Sequence, residues 1–312
     1  MQIINIGLIG PGNIARRVAR GIELAKNARL AAVGSRNIAR AKEFASEFGA
    51  KAYLNDDLLK DGNIDAIYLA IPNAYHYEYI KKALLANKHV ICEKPLVVTS
   101  SQGKELFALA FSRNLILMEA MKSDFLPLTY KVREMLASGN YGKLLYLDGK
   151  YSSVTSGNPG SWVFAEKTGG GLRDVGIYPI SYCNLLANSK IKKTMTITKD
   201  SDQGLDLLGQ SVMLYENGVL ATCTSGLELN TVNAIHIYTD RGYFYIRDFW
   251  KTGKGQFVHN DGTIEEIECE MANDFKYEVE HFASCIIEGL KESPIASYEA
   301  TMEIIKVFEG RR

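Results

Sequence analysis

The 312-residue chain lacks a net charge, because 36 basic and 36 acidic side chains cancel. No global field therefore draws it toward nucleic acid or an anionic membrane, and any anion site must be local. Cysteine is sparse. Cys92, Cys183, Cys223, Cys269 and Cys285 are odd in number and widely separated, and none shows metal-ligand or redox-pair spacing. That pattern argues against a zinc site and a disulfide framework, and for reduced thiols in a cytoplasmic protein. No window reaches 18 consecutive apolar residues, and Met1 leads directly into Ile3-Ile4-Asn5-Ile6 without a basic region or a small-residue cleavage site. Neither membrane insertion nor secretion is expected. Repeats, charge blocks and low-complexity segments are absent as well.

Apolar residues are plentiful at 46%, enough for a sizeable core. Single cores seldom grow past roughly 250 to 300 residues, so two domains are expected. Residues 2–9 form a short apolar run broken by Asn5 and Gly7, which suits a buried parallel strand. The run ends at Gly10-Pro11-Gly12-Asn13-Ile14-Ala15, and a helical pattern carrying Val18, Gly21, Ile22 and Ala25 follows. This is the strand, glycine turn, helix order of a dinucleotide fingerprint, with Ala15 in the third glycine's place. Gly10 serves a tight turn, Gly12 lets backbone approach a pyrophosphate, and the helix N-terminus supplies amide donors.

A second strand at Leu30–Val33 ends at Gly34-Ser35-Arg36 and precedes a helix over Ala39–Phe48. Enzymes that select NAD commonly carry an acid here for the ribose 2′-hydroxyl; this chain lacks one and offers Ser35 and Arg36, with Arg40 one turn further on. A cationic fork fits a 2′-phosphate, so NADP is expected, with NAD the alternative. A third run, Ile64–Ile71, closes on Pro72-Asn73 and is followed by a helix that His76 opens; His76 is given a supporting role. The run 88–92 then ends abruptly in Glu93-Lys94-Pro95, before a helix near Ser100–Arg113 and a strand at Leu115–Met118. Ligands of open parallel sheets bind beyond the carboxyl ends of the strands. Gly10, Ser35, Pro72 and Lys94 all follow such ends. The candidate cofactor-binding set is Gly10, Gly12, Asn13, Ile14, Ser35, Arg36, Arg40, Pro72, Asn73, His76, Glu93 and Lys94.

The texture changes near residue 120, which sets a boundary between residues 1–120 and 121–312. A helix over Pro127–Ser138 is followed by extended segments separated by turn signals such as Glu216-Asn217-Gly218 and Asp240-Arg241-Gly242, as in an antiparallel sheet. Between them, Gly169-Gly170-Gly171-Leu172-Arg173-Asp174-Val175-Gly176-Ile177-Tyr178 puts Asp174 and Tyr178 four residues apart, about one helical turn, so that both project from one face. Small or apolar residues on both faces of Ala221–Ser225 hint at a strand covered by another subunit. Two closing helical patterns, Phe275–Glu288 and Tyr298–Phe308, are expected to pack on the first domain or cover the sheet.

With the glycine turn, Glu93-Lys94-Pro95 and the Gly169–Tyr178 run in this order, the chain resembles the Gfo/Idh/MocA oxidoreductases. Ser35-Arg36, Arg40 to Phe44, Cys92 to Pro95, Met118-Glu119-Ala120 and Asp174 to Tyr178 resemble the branch of dimeric dihydrodiol and NADP-dependent D-xylose dehydrogenases. The resemblance implies an α/β fold: a Rossmann domain with a doubly wound parallel sheet, and a second domain with a large, mostly antiparallel open sheet. It also implies oligomerisation through that sheet, as homodimer or homotetramer, and NADP-linked oxidation of a hydroxyl on a sugar, polyol or cyclic diol. The chain departs from the branch at Lys122-Ser123-Asp124-Phe125, where an aromatic-Thr-Arg-Phe run is common, so neither named substrate is carried over.

Lys94, Tyr178 and Asp174 are the candidate catalytic residues. A free tyrosine titrates near pH ~10, so Tyr178 needs help to act as a base, and the Lys94 cation would favour its anion. Asp174 would hold Lys94 or a substrate hydroxyl. Two rival readings remain open: a non-catalytic NADP-sensing regulator, and a redox-neutral enzyme, for example a glycoside-cleaving one, with a tightly bound dinucleotide. No metal is expected.

Overall fold

A computed structural model describes residues 2–155, 161–165 and 167–311. The chain divides into two compact units, Met1–Ala120 with Ala272–Thr301, and Met121–Met271 with Met302–Arg312. In the first unit, β1 (Ile4–Ile9), β2 (Ala28–Ser35), β3 (Lys51–Leu54), β4 (Ala66–Leu69), β5 (His89–Glu93) and β6 (Leu117–Ala120) form a parallel sheet ordered β3-β2-β1-β4-β5-β6. The connections are α1 (Asn13–Leu24), α2 (Ile38–Glu47), the short α3 (Asn55–Leu58), α4 (His76–Leu85) and α5 (Ser100–Ser112). Every residue of β4 and β6 is buried, as expected of strands covered on both faces. Strand order reverses between β1 and β4, and at such a switch point a doubly wound sheet opens a crevice.

The second unit begins with a 3-10 turn (Lys122–Phe125) and α6 (Pro127–Ala137). Next come β7 (Leu144–Ser152), a π-helical turn over Leu172–Gly176, and α7 (Ile177–Ala187). Its sheet is completed by β8 (Ile191–Asp200), β9 (Asp206–Tyr215), β10 (Leu220–Gly226), β11 (Ala234–Thr239), β12 (Gly242–Arg247), β13 (Lys254–His259) and β14 (Ile264–Glu268). The order is β14-β13-β12-β11-β7-β10-β9-β8, antiparallel throughout except for the β7–β10 pair. The two expected turns join β9 to β10 and β11 to β12, while β3, β13 and β14 were not foreseen.

One face of this sheet carries α7. A methyl on Gly149 of β7 would stand 2.7 Å from Pro179, and one on Gly176 would stand 2.8 Å from Ser225 of β10. This explains the small side chains of Ala221–Ser225. Ala221, Cys223 and Ser225 are buried beneath the helix, whereas Thr222 and Thr224 alternate to the other face and are half-buried. The β10 pattern therefore reflects close packing under a helix, with polar rather than apolar residues outward.

Past the sheet come α8 (Lys276–Ile287) and α9 (Tyr298–Glu309). Residues Ala272–Thr301 belong with the first unit rather than with residues 121–271. Arg17 of α1 pairs with Asp274 at 2.6 Å, and Gly21 leaves room for Phe275, where a methyl would lie 2.9 Å from its Cβ. Ile304, Val307 and Phe308 of α9 join the core of the second unit. All five cysteines are free thiols. No described helix is long and apolar enough to cross a membrane.

Candidate dinucleotide cleft and active site

A cleft of about 460 Å³ opens at the carboxyl ends of β1, β2 and β4. Gly10, Gly12, Ser35, Arg36, Arg40 and Pro72 of the candidate set all line it. Gly10 has a positive φ of +99°, and a methyl there would lie 2.5 Å from the Ala70 carbonyl oxygen, so both conformation and space demand glycine. Gly12 caps α1 with no side-chain hydrogen bond and would have nothing within 4 Å of an added methyl. Backbone is thus open to a ligand where the first-turn amides of α1 begin.

At the end of β2, local hydrogen bonds shape the arginine site. Asn37 N–H donates to Ser35 Oγ at 3.1 Å, and Asn37 Oδ1 accepts from the amides of Ala39 and Arg40 at 2.9 and 3.4 Å, capping α2. Arg36 stays exposed, with its guanidinium carbon 5.7 Å from the centre of the Tyr75 ring. Tyr75 and Tyr79, one turn apart on the far wall, also line the cleft, as does Asn55 at the start of α3. Asn55 donates to the Tyr79 hydroxyl at 3.0 Å, while its own buried Oδ1 has no hydrogen-bond partner among the described residues. The one carboxylate on this wall, Glu78, is paired with Lys82 at 2.9 Å. Tyr75, Tyr79 and Asn55 were missed. The i, i+4 tyrosines after Pro72 were the available signal for the first two.

The remaining candidates of the first unit do not line this cleft. Asn13 and Ile14 are exposed at the first turn of α1, and Asn73 is buried. His76 is fully buried, with Nδ1 2.8 Å from the Pro95 carbonyl oxygen and Nε2 2.8 Å from that of Ile71. Burial pushes its imidazolium down, against the two carbonyls, each of which asks for a donor. Its work is to tie the loop after β4 to the loop after β5. Lys94 is 9% exposed and its peptide bond to Pro95 is cis. Leu96 N–H donates to buried Glu119 at 2.6 Å, and Tyr68 donates to Glu93 at 2.9 Å.

In the second unit, the glycine run folds against Asp206 at the start of β9. A methyl on Gly170, where φ is +104°, would meet Asp206 Oδ1, and Oδ2 accepts from Leu172 N–H at 2.5 Å. Burial pushes the Asp206 carboxyl up. Asp174 lies in the π-helical turn and Tyr178 in the first turn of α7, both half-buried. The turn is wider than the one-turn α spacing that the sequence suggested. Tyr178 packs at 5.5 Å and 53° on Tyr151, which stacks on Trp250 at 3.7 Å. One turn along α7, Ser181 donates to Asp124 at 2.6 Å, and Ser123 donates to its other oxygen at 2.9 Å. Burial pushes the Asp124 carboxyl up to about 7. Lys122, Ser123 and Asp124, the residues that depart from the expected branch pattern, are all buried. Among the described residues, no group of His, Cys, Asp and Glu is placed to hold a metal.

The sheet order, the glycine turn and the cleft define a dinucleotide-binding α/β protein with a second, largely antiparallel unit. Residues 4–121 match the oxidoreductase family with an NAD-binding Rossmann fold, and residues 129–245 match the GFO/IDH/MocA C-terminal domain. Trans-1,2-dihydrobenzene-1,2-diol dehydrogenase of Xenopus laevis is 30% identical over 86% of this chain and 84% of that protein. D-xylose 1-dehydrogenase (NADP(+)) 2 of Haloferax volcanii is 26% identical over 97% and 95% of the two chains. KijD10, a 3-ketoreductase from Actinomadura kijaniata solved with NADP and TDP-benzene, superposes with a TM-score of 0.89 at 26% identity, covering 100% of this chain and 98% of that one. The chain belongs to the Gfo/Idh/MocA oxidoreductase family.

Proposed function

We propose that this protein is an NADP-dependent oxidoreductase moving a hydride between the nicotinamide and a hydroxyl- or carbonyl-bearing carbon of a sugar, polyol or cyclic diol. The observation that carries the cofactor reading is the cleft wall at the end of β2, where Ser35, Arg36 and Arg40 stand without an acid. Arg36 and Arg40 would take a 2′-phosphate, the opened backbone at Gly10 and Gly12 the pyrophosphate. The bound nicotinamide supplies the hydride chemistry. The chain's own task is the proton on the reacting oxygen. For it the first unit offers Lys94, a cation for the reacting oxygen, and the second offers Tyr178 as acid/base and Asp174 as partner for a substrate hydroxyl. Substrate class rests on the relatives alone.

The outer face of the large sheet supports a homodimer or homotetramer. It shows Met195 and Ile197 of the edge strand β8 at 45% and 59% exposure and, beyond β9 and β10, half-buried tyrosines 146, 238, 243 and 245. Five free thiols agree with a cytoplasmic, reducing setting. Two measurements test the reading. Fluorescence titration should give tighter binding of NADPH than of NADH, and NADP reduction followed by absorbance across aldoses, polyols and cyclic diols should find turnover. Equal affinity for the two nucleotides removes the cofactor assignment, and sedimentation as a monomer at working concentration removes the oligomer.

A further inference from the structure

Tyr68 sits in β4 with no exposed surface, and its hydroxyl lies between two carboxylates that are far apart in sequence. Glu93 Oε1, at the end of β5, is 2.9 Å away, and Glu278 Oε1, in the first turn of α8, is 3.0 Å away. Burial first, then Glu278 and Glu93, push the phenol well above its usual range, so Tyr68 stays a donor. A phenol has one proton, so Tyr68 donates to one carboxylate at a time and the two glutamates share it as alternative acceptors. Glu278 is itself fully buried, an expensive place for a carboxyl unless its partners use it. Its helix is held in place by Arg17 on Asp274 at 2.6 Å and by Asn27 on the Glu280 carbonyl at 2.9 Å and on Ser284 at 3.0 Å.

The residue these contacts converge on is Lys94. Glu93, before it, is held by Tyr68; the Pro95 carbonyl, after it, is held by His76; and Leu96 N–H is held by Glu119. We propose that Tyr68 and Glu278 are positioning residues, which act through Glu93 to fix Lys94 for its part in the reaction. This rests on the reading of Lys94 as a participant in proton transfer. It gives the segment 272–301 a task in the chemistry, carried by a glutamate 184 positions from Lys94 in the sequence numbering.

The test compares Tyr68→Phe and Glu278→Gln with Lys94→Met. Phenylalanine keeps the ring and removes the hydroxyl, whereas glutamine keeps the shape and an acceptor oxygen and removes the charge, so both preserve packing. Loss of the phenol's hydrogen bond in one variant, and of the charge on its partner in the other, predicts that kcat falls about 10-fold in either. NADPH Kd, read by fluorescence without turnover, should stay within about 2-fold, and the midpoint of the kcat pH profile should move, because the charge beside Lys94 is no longer held. If both variants turn over like the wild type with an unmoved profile while Lys94→Met is inactive, Tyr68 and Glu278 have no positioning role and the site stands. A fall in kcat with an unmoved pH profile marks a packing defect and also overturns the proposal. Near-normal turnover in Lys94→Met removes the site itself, and the positioning role with it.

Discussion

The first unit offers its candidate groups from loops that follow strand ends, around an open cleft; the second offers them from a helical turn pressed against a sheet. Arg36 and Arg40 are exposed, whereas Tyr178 is wedged against Tyr151 on a helix that Gly149 and Gly176 admit to near contact with β7 and β10. Under the proposed roles, the contrast separates binding from turnover. Changes in the first wall should alter nucleotide affinity, and changes on α7 should alter the rate. Lys94 crosses this division, being a strand-end residue of the first unit that is nearly as buried as the core.

The sharpest attempt to break the contrast removes the proposed proton groups. Tyr178→Phe and Lys94→Met should each lower kcat by about 10²-fold or more, as loss of a general acid–base group does, while Tyr178→Phe leaves NADPH Kd unchanged. Near-normal turnover in both places the chemistry elsewhere.

Next in size is a difference in pH response. Asp124, whose folded value near 7 lies above its unfolded value, binds a proton in the native state that the unfolded chain has already released. Its contribution to stability is therefore present at low pH and is lost as pH rises from about 4 to about 7. Asp124→Asn should gain on the order of 2 to 3 kcal/mol relative to the wild type between pH 5 and 8, measured by denaturant unfolding. His281 in the first unit does the reverse. Burial pushes it down to about 4, so stability is full above about 6.5 and falls as pH drops toward 4. Calorimetry resolving two transitions should see them respond in opposite senses; parallel responses would erase this distinction.

Arg36→Ala should weaken NADPH by about 10- to 100-fold, the worth of a charge-assisted hydrogen bond, with NADH affinity and kcat at saturation little changed. An equal loss for both nucleotides would show that Arg36 does not read the 2′ position. The smallest expected effects come from the two glycines of the turn. Gly10→Ala should cost about 2 kcal/mol of stability, since φ is +99° and the Ala70 oxygen is in the way. Gly12→Ala should leave stability nearly intact and still weaken NADPH, because its methyl meets no protein atom within 4 Å and would enter the open cleft that Gly12 lines. If Gly12→Ala binds NADPH normally, the pyrophosphate lies elsewhere.

Much of the first unit was legible because its signals are local. Gly10, Gly12, Ser35 and Pro72 are punctuation at strand ends, and their shared cleft follows from a parallel sheet with a switch point. β3 and α3, at four residues each, are too short to show a period, and Asn55 was lost with them. β14, read as Ile264-Glu265-Glu266-Ile267-Glu268, is an acidic edge strand whose charges hide it as a strand while keeping other chains off its edge. Tyr68 and Glu278 meet across 210 positions, and no local pattern reports a contact of that range. Asp174 was singled out by motif, but its π-helical turn was not, since a single wide turn leaves no periodic signal in the sequence.

That π-helical turn makes residue count a structural variable. It takes one more residue to go round than an α turn does, so deleting a single position between Leu172 and Gly176 would tighten the turn into ordinary helix. Because one full turn replaces another, the helix on either side would keep its phase, and the deletion would remove the bulge alone. Deleting Val175, for example, would keep Asp174 and Tyr178 and leave two residues between them instead of three. In this segment the number of residues, and not only their identity, decides where each side chain stands.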